Sequence, residues 1–243
     1  MTKKELELIS LNKLKKYYTD FPIGEIIHTE SPDFLITNSG KTIGFEIVSI
    51  LQENSEDEIK LKAIENTEDY IISEARKICI DKGIEPLEVH IHFGNCPDIV
   101  KSDKKNIAGQ LAKAVIENLP PKEKIIELEN RYDGRFPDVI HSFSIVNYSC
   151  LKRHHWSTPR AGFVQEDFLN EMQLVIDSKN EKYDSYIKKC DECFLLIDAP
   201  GDAPSSFFDP SEETKTHIYK SKFAKTFYVG GFLDNYFQLT TEP

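Results

Sequence analysis

Residues 30–48 read ESPDFLITNSGKTIGFEIV, and this stretch decides the fold. Two apolar-rich, strand-like runs flank the turn-forming residues 38–41, as in a β-hairpin. A loop of two or four residues places like residues opposite one another: Phe34 and Phe45, Ile36 and Ile43, Thr37 and Thr42. A three-residue loop would lose these pairs, which stabilise sheets by roughly 0.2 to 1 kcal/mol each. We therefore expect the first register.

That register also sets two carboxylates against each other, Asp33 and Glu46, with Cβ atoms about 5 Å apart. Two anions this close repel unless a cation lies between them, a Lys or Arg neutralises them, or one carboxyl keeps its proton. Hard oxygen ligands suit Mg²⁺ or Mn²⁺, so a divalent-metal site is one interpretation. An exposed strand end, where water screens both charges, is the other.

The rest of the chain alternates between helical and strand-like patterns. A helix over about 3–18 precedes the hairpin, whose strands are expected at 32–37 and 42–50. A long helix over about 55–82, with Gly83 as its stop signal, and a strand over 87–93 follow it. Further elements are expected as helices at 105–119 and 165–189 and strands near 125 and at 139–147, 194–197 and 226–229. The pattern predicts an α/β fold with a mixed central sheet flanked by helices.

The composition is that of one globular protein: 243 residues, 40% hydrophobic and 29% charged, predict a single domain over residues 1–243. The N-terminus has no apolar leader and no later stretch has the length of a membrane span, so we expect a cytoplasmic protein. The five cysteines are irregularly spaced, which indicates reduced thiols. A net charge of −11 argues against indiscriminate nucleic-acid binding, so any such contact is expected to be local.

Two local basic patches are candidates for that contact. The first is Lys101–Lys105; the second is the run Lys152–Trp156 together with Arg160. Solvated surface charge is the simpler explanation of the first patch. For the second, which contains a Trp and paired His residues, both interpretations stay open.

The segments ESPDF, ending at Phe34, and GFEIV, ending at Val48, resemble the motif of the PD-(D/E)XK nuclease superfamily, in which an Asp and a Glu from a hairpin hold the catalytic metal. The order helix, hairpin, helix, strand over about residues 1–93 is also similar to that superfamily's restriction-endonuclease-like core. The resemblance implies a C-terminal α/β elaboration over about residues 94–243. The sequence departs from the motif at Val48, where the superfamily has a Lys.

Lys179 is the candidate replacement for that Lys. In the helix expected over 165–189, apolar residues occupy a single arc at ~100° per residue, and Lys179 falls near its middle. A buried Lys is costly unless it is paired, so an acidic partner is required. The run from Ile176 to Lys182, followed by Tyr186, resembles a second motif in bacterial proteins that carry the same hairpin. Lys182 is the second candidate, and a structural ion pair or a Lys that reaches solvent is the alternative.

Two other groups of residues are weaker candidates. Cys190 and Cys193 have C-x-x-C spacing, but no second Cys pair or suitably spaced His completes a zinc set. His90 and His92 share a strand face and could bind metal or phosphate, but polar residues that face solvent or a covering helix explain them more simply. The sequence contains no Walker, dinucleotide-binding or serine-hydrolase signature.

The resemblance implies metal-dependent hydrolysis of phosphodiester bonds in nucleic acid, with DNA as the expected substrate and Mg²⁺ or Mn²⁺ as the cofactor. The expected metal ligands are Asp33, Glu46 and the carbonyl oxygen of Ile47, and Glu30 could bind a second ion or a metal-bound water. Lys179, or Lys182 in its place, would stabilise charge on the phosphate or orient the nucleophile. The alternatives are a catalytically inactive nucleic-acid-binding protein and a protein-interaction module that retain the fold.

Overall fold

The computed structural model describes residues 2–52, 61–94, 99, 103–130, 136–230 and 235–243. The chain divides into two compact units: Met1–Glu53 with Gly162–Pro243, and Asn54–Ala161. Both contain helices and sheets, so the protein is a mixed α/β protein, as the sequence predicts. None of the helices in these ranges is long and apolar enough to cross a membrane. That residues 1–243 form a single domain stays a prediction. The boundaries between the two units fall at residues 53 and 161, and not near residue 93, where the sequence places the end of the nuclease-like core.

The elements are numbered in chain order. The helices of the described ranges are α1 (Lys3–Tyr17), α2 (Leu61–Asp81), α3 (Lys104–Glu117), α4 (Leu169–Asn180), α5 (Tyr183–Tyr186) and α6 (Glu212–Thr216). The strands are β1 (Glu25–His28), β2 (Phe34–Asn38), β3 (Lys41–Ser49), β4 (Glu88–Phe93), β5 (Lys124–Glu129), β6 (Ile140–Asn147), β7 (His155–Ser157), β8 (Glu192–Ala199), β9 (Ile218–Lys220), β10 (Lys225–Gly230), β11 (Asn235–Gln238) and β12 (Thr240–Glu242).

A mixed sheet organises the first unit, with its described strands in the order β1-β2-β3-β8-β10-β11. The strands β1, β2 and β3 are antiparallel neighbours, whereas β8 runs parallel to β3 and β10 runs parallel to β8. The last strand, β11, returns antiparallel to β10. The centre of the sheet is therefore parallel, and the hairpin β2–β3 lies beside that parallel part.

The β2–β3 hairpin has the register expected from the sequence. Residues 34–38 pair with residues 45–41, so each of the like-with-like pairs forms. Ser39 and Gly40 make the two-residue turn, and both have positive φ (51° and 85°), the conformation that matches the twist of a tight hairpin. The two carboxylates of the motif follow as the next residue outward on each strand.

Helices cover both faces of this sheet. The side chains of β3 point alternately to one face and to the other. Phe45 and Ile47 belong to a buried cluster with residues of α1. Val48 packs against a different buried cluster, which contains residues of α4. Since neighbouring strand residues point to opposite faces, Glu46 shares the α4 side of the sheet with Val48.

The second unit consists of helices packed on a sheet. Its described strands have the order β5-β6-β4-β7, and α2 and α3 pack together over one face. Val89 and Ile91 of β4 lie in the buried cluster between the helices and the sheet. The helix α2 ends at Asp81, and Gly83 follows in the left-handed conformation (φ 72°) that ends helices.

The structure corrects three expectations about the elements. Strand β4 lies in the sheet of the second unit, so it is β8, and not the strand at 87–93, that pairs with the hairpin. The helix expected over 165–189 is two helices, α4 and α5, and Gln165 instead makes an isolated β-bridge to Phe208. A short strand, β1, pairs with β2 although the sequence did not indicate it. Residues 55–60 of the expected long helix lie outside the described residues.

Candidate active site

Asp33 is a buried carboxylate held at the start of β2. Its backbone carbonyl accepts a hydrogen bond from the Thr29 N–H (2.8 Å), which closes the turn before the strand. Its Oδ2 atom accepts the N–H of Ile47 on β3 at 2.7 Å. Burial, reinforced by the nearby Glu46 carboxylate, raises the pKa of Asp33 to about 6. The hairpin therefore places this carboxylate where ionisation is unfavourable without a nearby cation.

Glu46 is the second buried carboxylate, and it is paired with a Lys from another element. The Lys179 Nζ atom lies 2.6 Å from Glu46 Oε1, a short charge-assisted hydrogen bond. The side chain of Lys179 is 17% exposed and that of Glu46 is 7% exposed, so water screens the pair weakly. The acidic partner that Lys179 requires is thus one of the two hairpin carboxylates.

The sequence of α4 explains why Lys179 reaches the sheet. Met172 and Ile176 are its buried residues. Lys179 follows Ile176 by three positions and so lies on the same helical face. Lys182, the second candidate, comes after α4 has ended and is exposed; its N–H donates to the carbonyl of Lys179. The structure therefore brings Lys179, and not Lys182, to the carboxylates.

Val48 occupies the position where the resemblance expects a Lys. It is partly buried against the same apolar cluster that contains the buried residues of α4. The side chain of Lys179 enters from that helix and reaches Glu46, two residues before Val48 on the same strand face. An apolar residue at position 48 and a cation on α4 therefore fit together on one face of the sheet.

The two remaining ligand candidates are placed differently. Glu30 is exposed and pairs with Lys4 (3.1 Å), which lowers the pKa of the Glu30 carboxyl. These contacts place Glu30 at the surface and do not join it to Asp33 or Glu46. Ile47 donates its N–H to Asp33, and in a strand the carbonyl of a residue points to the same edge as its N–H. The Ile47 carbonyl therefore faces the Asp33 side of β3.

Tyr186 is a site residue whose contact with Glu46 the sequence did not predict. It is buried in α5 on the α4 side of the sheet. Burial, followed by the charge of Glu46 and a hydrogen bond to that carboxylate, raises the pKa of the Tyr186 hydroxyl. Glu46 therefore receives one donor from Lys179 and a second from Tyr186.

A charged group on α1 also borders the site. Glu7 is buried, its Oε1 atom lies 3.0 Å from Lys3 Nζ, and its Oε2 atom lies 3.3 Å from His28 Nε2. The negative charge of Glu7 helps to raise the pKa of Asp33, whereas the positive charge of Lys3 lowers it. Local sequence does not predict this group, because Glu7 and His28 belong to different elements that only tertiary packing brings together.

The donor atoms at the hairpin suit a hard divalent cation. Asp33 and Glu46 offer carboxylate oxygens and Ile47 offers a carbonyl oxygen, the ligand types that Mg²⁺ and Mn²⁺ prefer. Burial first, and the charge of Glu46 second, raise the pKa of Asp33, and a bound cation would favour its ionised form. Within the described ranges, no group of three or more His, Cys, Asp and Glu side chains is placed to hold a metal ion. A metal here would therefore be held by two carboxylates and the backbone.

The second expected basic patch is only partly free at the surface. Trp156 is buried, and the ring of His154 is hydrogen-bonded to backbone groups of residues 84 and 87. Arg160 pairs with Asp69 and lies 3.9 Å from Glu65, so its charge is directed at acids of α2. Lys152 and Arg153 are exposed. Residues 101 and 102 of the first patch lie outside the described residues, and the Lys104 Nζ atom donates to Thr67.

The strand histidines have local partners. His90 lies between Glu88 (2.9 Å) and the Ser157 hydroxyl (3.1 Å), whereas His92 is exposed. These contacts agree with the simpler interpretation of the pair as polar residues on an outer strand face.

Comparison with protein-family models, curated proteins and solved structures gives no match.

Proposed function

We propose that this chain is a metal-dependent nuclease that hydrolyses phosphodiester bonds, with DNA as its substrate and Mg²⁺ or Mn²⁺ as its cofactor. The observation that carries the proposal is the convergence of Lys179, from a helix far along the chain, on Glu46 beside Asp33. Two adjacent carboxylates and one Lys are the side chains that the resemblance to PD-(D/E)XK nucleases requires. The choice of DNA rests on that resemblance alone.

The order of elements in the first unit supports the proposal. Helix α1 precedes the hairpin, and helix α4 and the parallel strand β8 follow it, with Asn54–Ala161 forming the other unit in between. The first unit therefore has the order helix, hairpin, helix, strand if α4 is taken as the second helix and β8 as the last strand. This arrangement also accounts for a Lys on α4, because α4 is the helix that covers the Glu46 side of the sheet.

The position of the carboxylates within the sheet agrees with a binding site. Glu46 lies in the C-terminal half of β3, and the neighbouring strands β8 and β10 run parallel to it. Open α/β sheets bind their ligands in the crevice outside the carboxyl ends of such strands. A phosphate bound there would lie close to both the hairpin carboxylates and the end of Lys179.

Each residue then has a defined task. Asp33, Glu46 and the Ile47 carbonyl would hold the ion, which polarises the scissile phosphate and lowers the pKa of an attacking water. Lys179 has three N–H donors, so it can keep its bond to Glu46 and still donate to a phosphate oxygen. The Tyr186 hydroxyl, which is hydrogen-bonded to the same carboxylate, would help to orient Glu46. The buried position of these groups strengthens their electrostatic effect on the developing charge.

The test is cleavage of labelled double-stranded DNA, single-stranded DNA and RNA of one sequence, with Mg²⁺, with Mn²⁺ and with EDTA. We expect metal-dependent cleavage of DNA that falls to background in Asp33→Asn and Glu46→Gln. Glu192→Gln is the matched control, because Glu192 is an acid on the same sheet whose partner is Lys41 and not Lys179. Cleavage that survives both site substitutions, or that the control also loses, contradicts the proposal.

A catalytically inactive nucleic-acid-binding protein is the second candidate. It is favoured by the direct contact of Lys179 with Glu46, since an ion pair at 2.6 Å compensates that carboxylate without a metal. In this case DNA would bind equally well with and without Mg²⁺ and would remain intact in the cleavage assay.

A further inference from the structure

The C-x-x-C residues lie next to the candidate active site but have no task in the proposed hydrolysis. Cys190 follows α5, and Cys193 is the second residue of β8, directly beside Gly44 of β3. Both thiols are reduced in the structure. Both cysteines are buried: Cys193 fully, and Cys190 with 9% of its surface exposed.

Gly44 makes room for this pair of thiols. A Cβ atom on residue 44 would lie 2.8 Å from Cys190 Sγ and 2.8 Å from Pro32 Cγ, closer than such atoms can approach. The Cys190 Sγ atom also lies 3.4 Å from the Tyr186 carbonyl, to which the thiol donates. Cys190 is thus held at a fixed position against β3, and not on a loose surface loop.

Both thiols adjoin Gly44, because Cys190 Sγ lies 2.8 Å from the position of a Cβ atom on that residue and Cys193 is its partner on the neighbouring strand. The two thiols are electrostatically unequal. A hydrogen bond from Cys193 lowers the pKa of the Cys190 thiol, and the same bond, together with burial, raises the pKa of Cys193. The thiolate is the reactive form of a cysteine, so Cys190, whose thiol has the lower pKa, is the better nucleophile of the two. Cys193 is placed to react second, from the interior.

We propose that Cys190 and Cys193 are a redox-active pair that hydrogen peroxide converts into an intrachain disulfide. The Cys190 thiolate attacks one peroxide oxygen; the O–O bond breaks, an S–O bond forms, and hydroxide leaves and takes up a proton to become water. The Cys193 sulfur then attacks the sulfenic acid of Cys190, the S–S bond forms, and the S–O oxygen leaves as a second water with the Cys193 proton. The two thiols are oxidised and the peroxide is reduced to two waters. A dithiol reductant reverses the change.

The other described cysteines provide internal comparisons. Cys79 is buried, and burial raises the pKa of its thiol to about 11, so it should not react. Cys150 is exposed and reports how fast an accessible thiol outside a C-x-x-C pair is oxidised. Cys96 lies outside the described residues. The proposal does not depend on the nuclease function, because its readout is the chemical state of the thiols.

The test treats the full-length reduced protein with hydrogen peroxide in EDTA, blocks free thiols with an alkylating agent, and maps the peptides by mass spectrometry. We expect a disulfide between Cys190 and Cys193 that is lost on reduction and that forms while most of Cys150 still reacts with the alkylating agent. In Cys193→Ala the disulfide should be absent and a dimedone-trapped sulfenic acid should appear at Cys190. Cys150→Ala is the matched control and should retain the disulfide.

Two results overturn the proposal: both thiols remain open to alkylation after Cys150 has been oxidised, or Cys190 is found linked to a cysteine other than Cys193. The wild-type measurement decides the matter even if a variant fails to fold. A cleavage assay on the oxidised protein is a separate experiment, so the absence of nuclease activity would count against the proposed function and not against the thiol pair.

Discussion

Lys179 Nζ lies 2.6 Å from Glu46 Oε1, although 133 positions separate the two residues in the sequence. The contact joins the last turn of α4 to the strand of the hairpin, in a place where both side chains are largely shielded from water. A buried ion pair of this kind either only stabilises the fold or also holds the Lys ammonium group where it can contact a bound ligand. The effects of substitution on stability and on activity separate these two roles.

We predict that Lys179→Met lowers the melting temperature in EDTA, because it leaves the buried Glu46 carboxylate without its cation. Removing one partner of a buried pair costs on the order of 3 kcal/mol. The double variant Lys179→Met/Glu46→Gln should recover much of that loss, since no uncompensated charge then remains. With metal present, the single variant should remain folded while cleavage falls on the order of 10²-fold. Thermal unfolding and cleavage rates on the same preparations check this, and full activity in a folded Lys179→Met protein rules out the catalytic role.

The pH dependence of stability follows from the raised pKa of Asp33, which is about 6 in the folded protein and 3.8 ordinarily. The folded protein holds this proton more tightly than the unfolded chain does, so protonated Asp33 is well tolerated at low pH. Its ionisation costs stability as the pH rises between these two values, by up to about 3 kcal/mol. Asp33→Asn should therefore be more stable than the wild type at about pH 8 in EDTA, and the difference should vanish near pH 4. A difference that is equal at all pH values would contradict this origin.

Tyr186→Phe removes the hydroxyl that lies against Glu46. We expect a loss of about 1 kcal/mol in stability together with a clear fall in cleavage, because Glu46 loses one of its two donors. Tyr219→Phe is the matched control: Tyr219 is buried in the same apolar cluster, but its hydroxyl donates to the Thr214 carbonyl. It should lose similar stability and keep its activity. Equal effects of the two substitutions on cleavage would show that Tyr186 acts only through the fold.

The hairpin could be derived from the sequence because its register depends on neighbouring residues alone. A two-residue turn at Ser39 and Gly40 fixes every pair outward to Phe34 and Phe45, and the structure has those pairs. Lys179 could be found for a related reason, since helical spacing shows which side of a helix faces the core. Both inferences use only short-range periodicity.

The partner of the hairpin could not be derived in the same way. The strands β4 and β8 are both strand-like runs that follow a helix, and local sequence does not show which of them lies beside β3. Parallel pairing joins distant segments, so it is decided by packing of the whole unit. For the same reason Glu7 and Tyr186, which reach the site from α1 and α5, were not assigned to it.

The most direct test of the central claim is a thermal-unfolding titration with Mg²⁺ and Mn²⁺ on the wild type and on Asp33→Asn. An ion that binds only the folded protein stabilises it by about 2.7 kcal/mol at a hundred times its dissociation constant. If Asp33 and Glu46 hold the ion, the wild type gains stability with increasing metal and Asp33→Asn does not. An unchanged gain in the variant, or no gain in the wild type, would contradict a metal site at the hairpin.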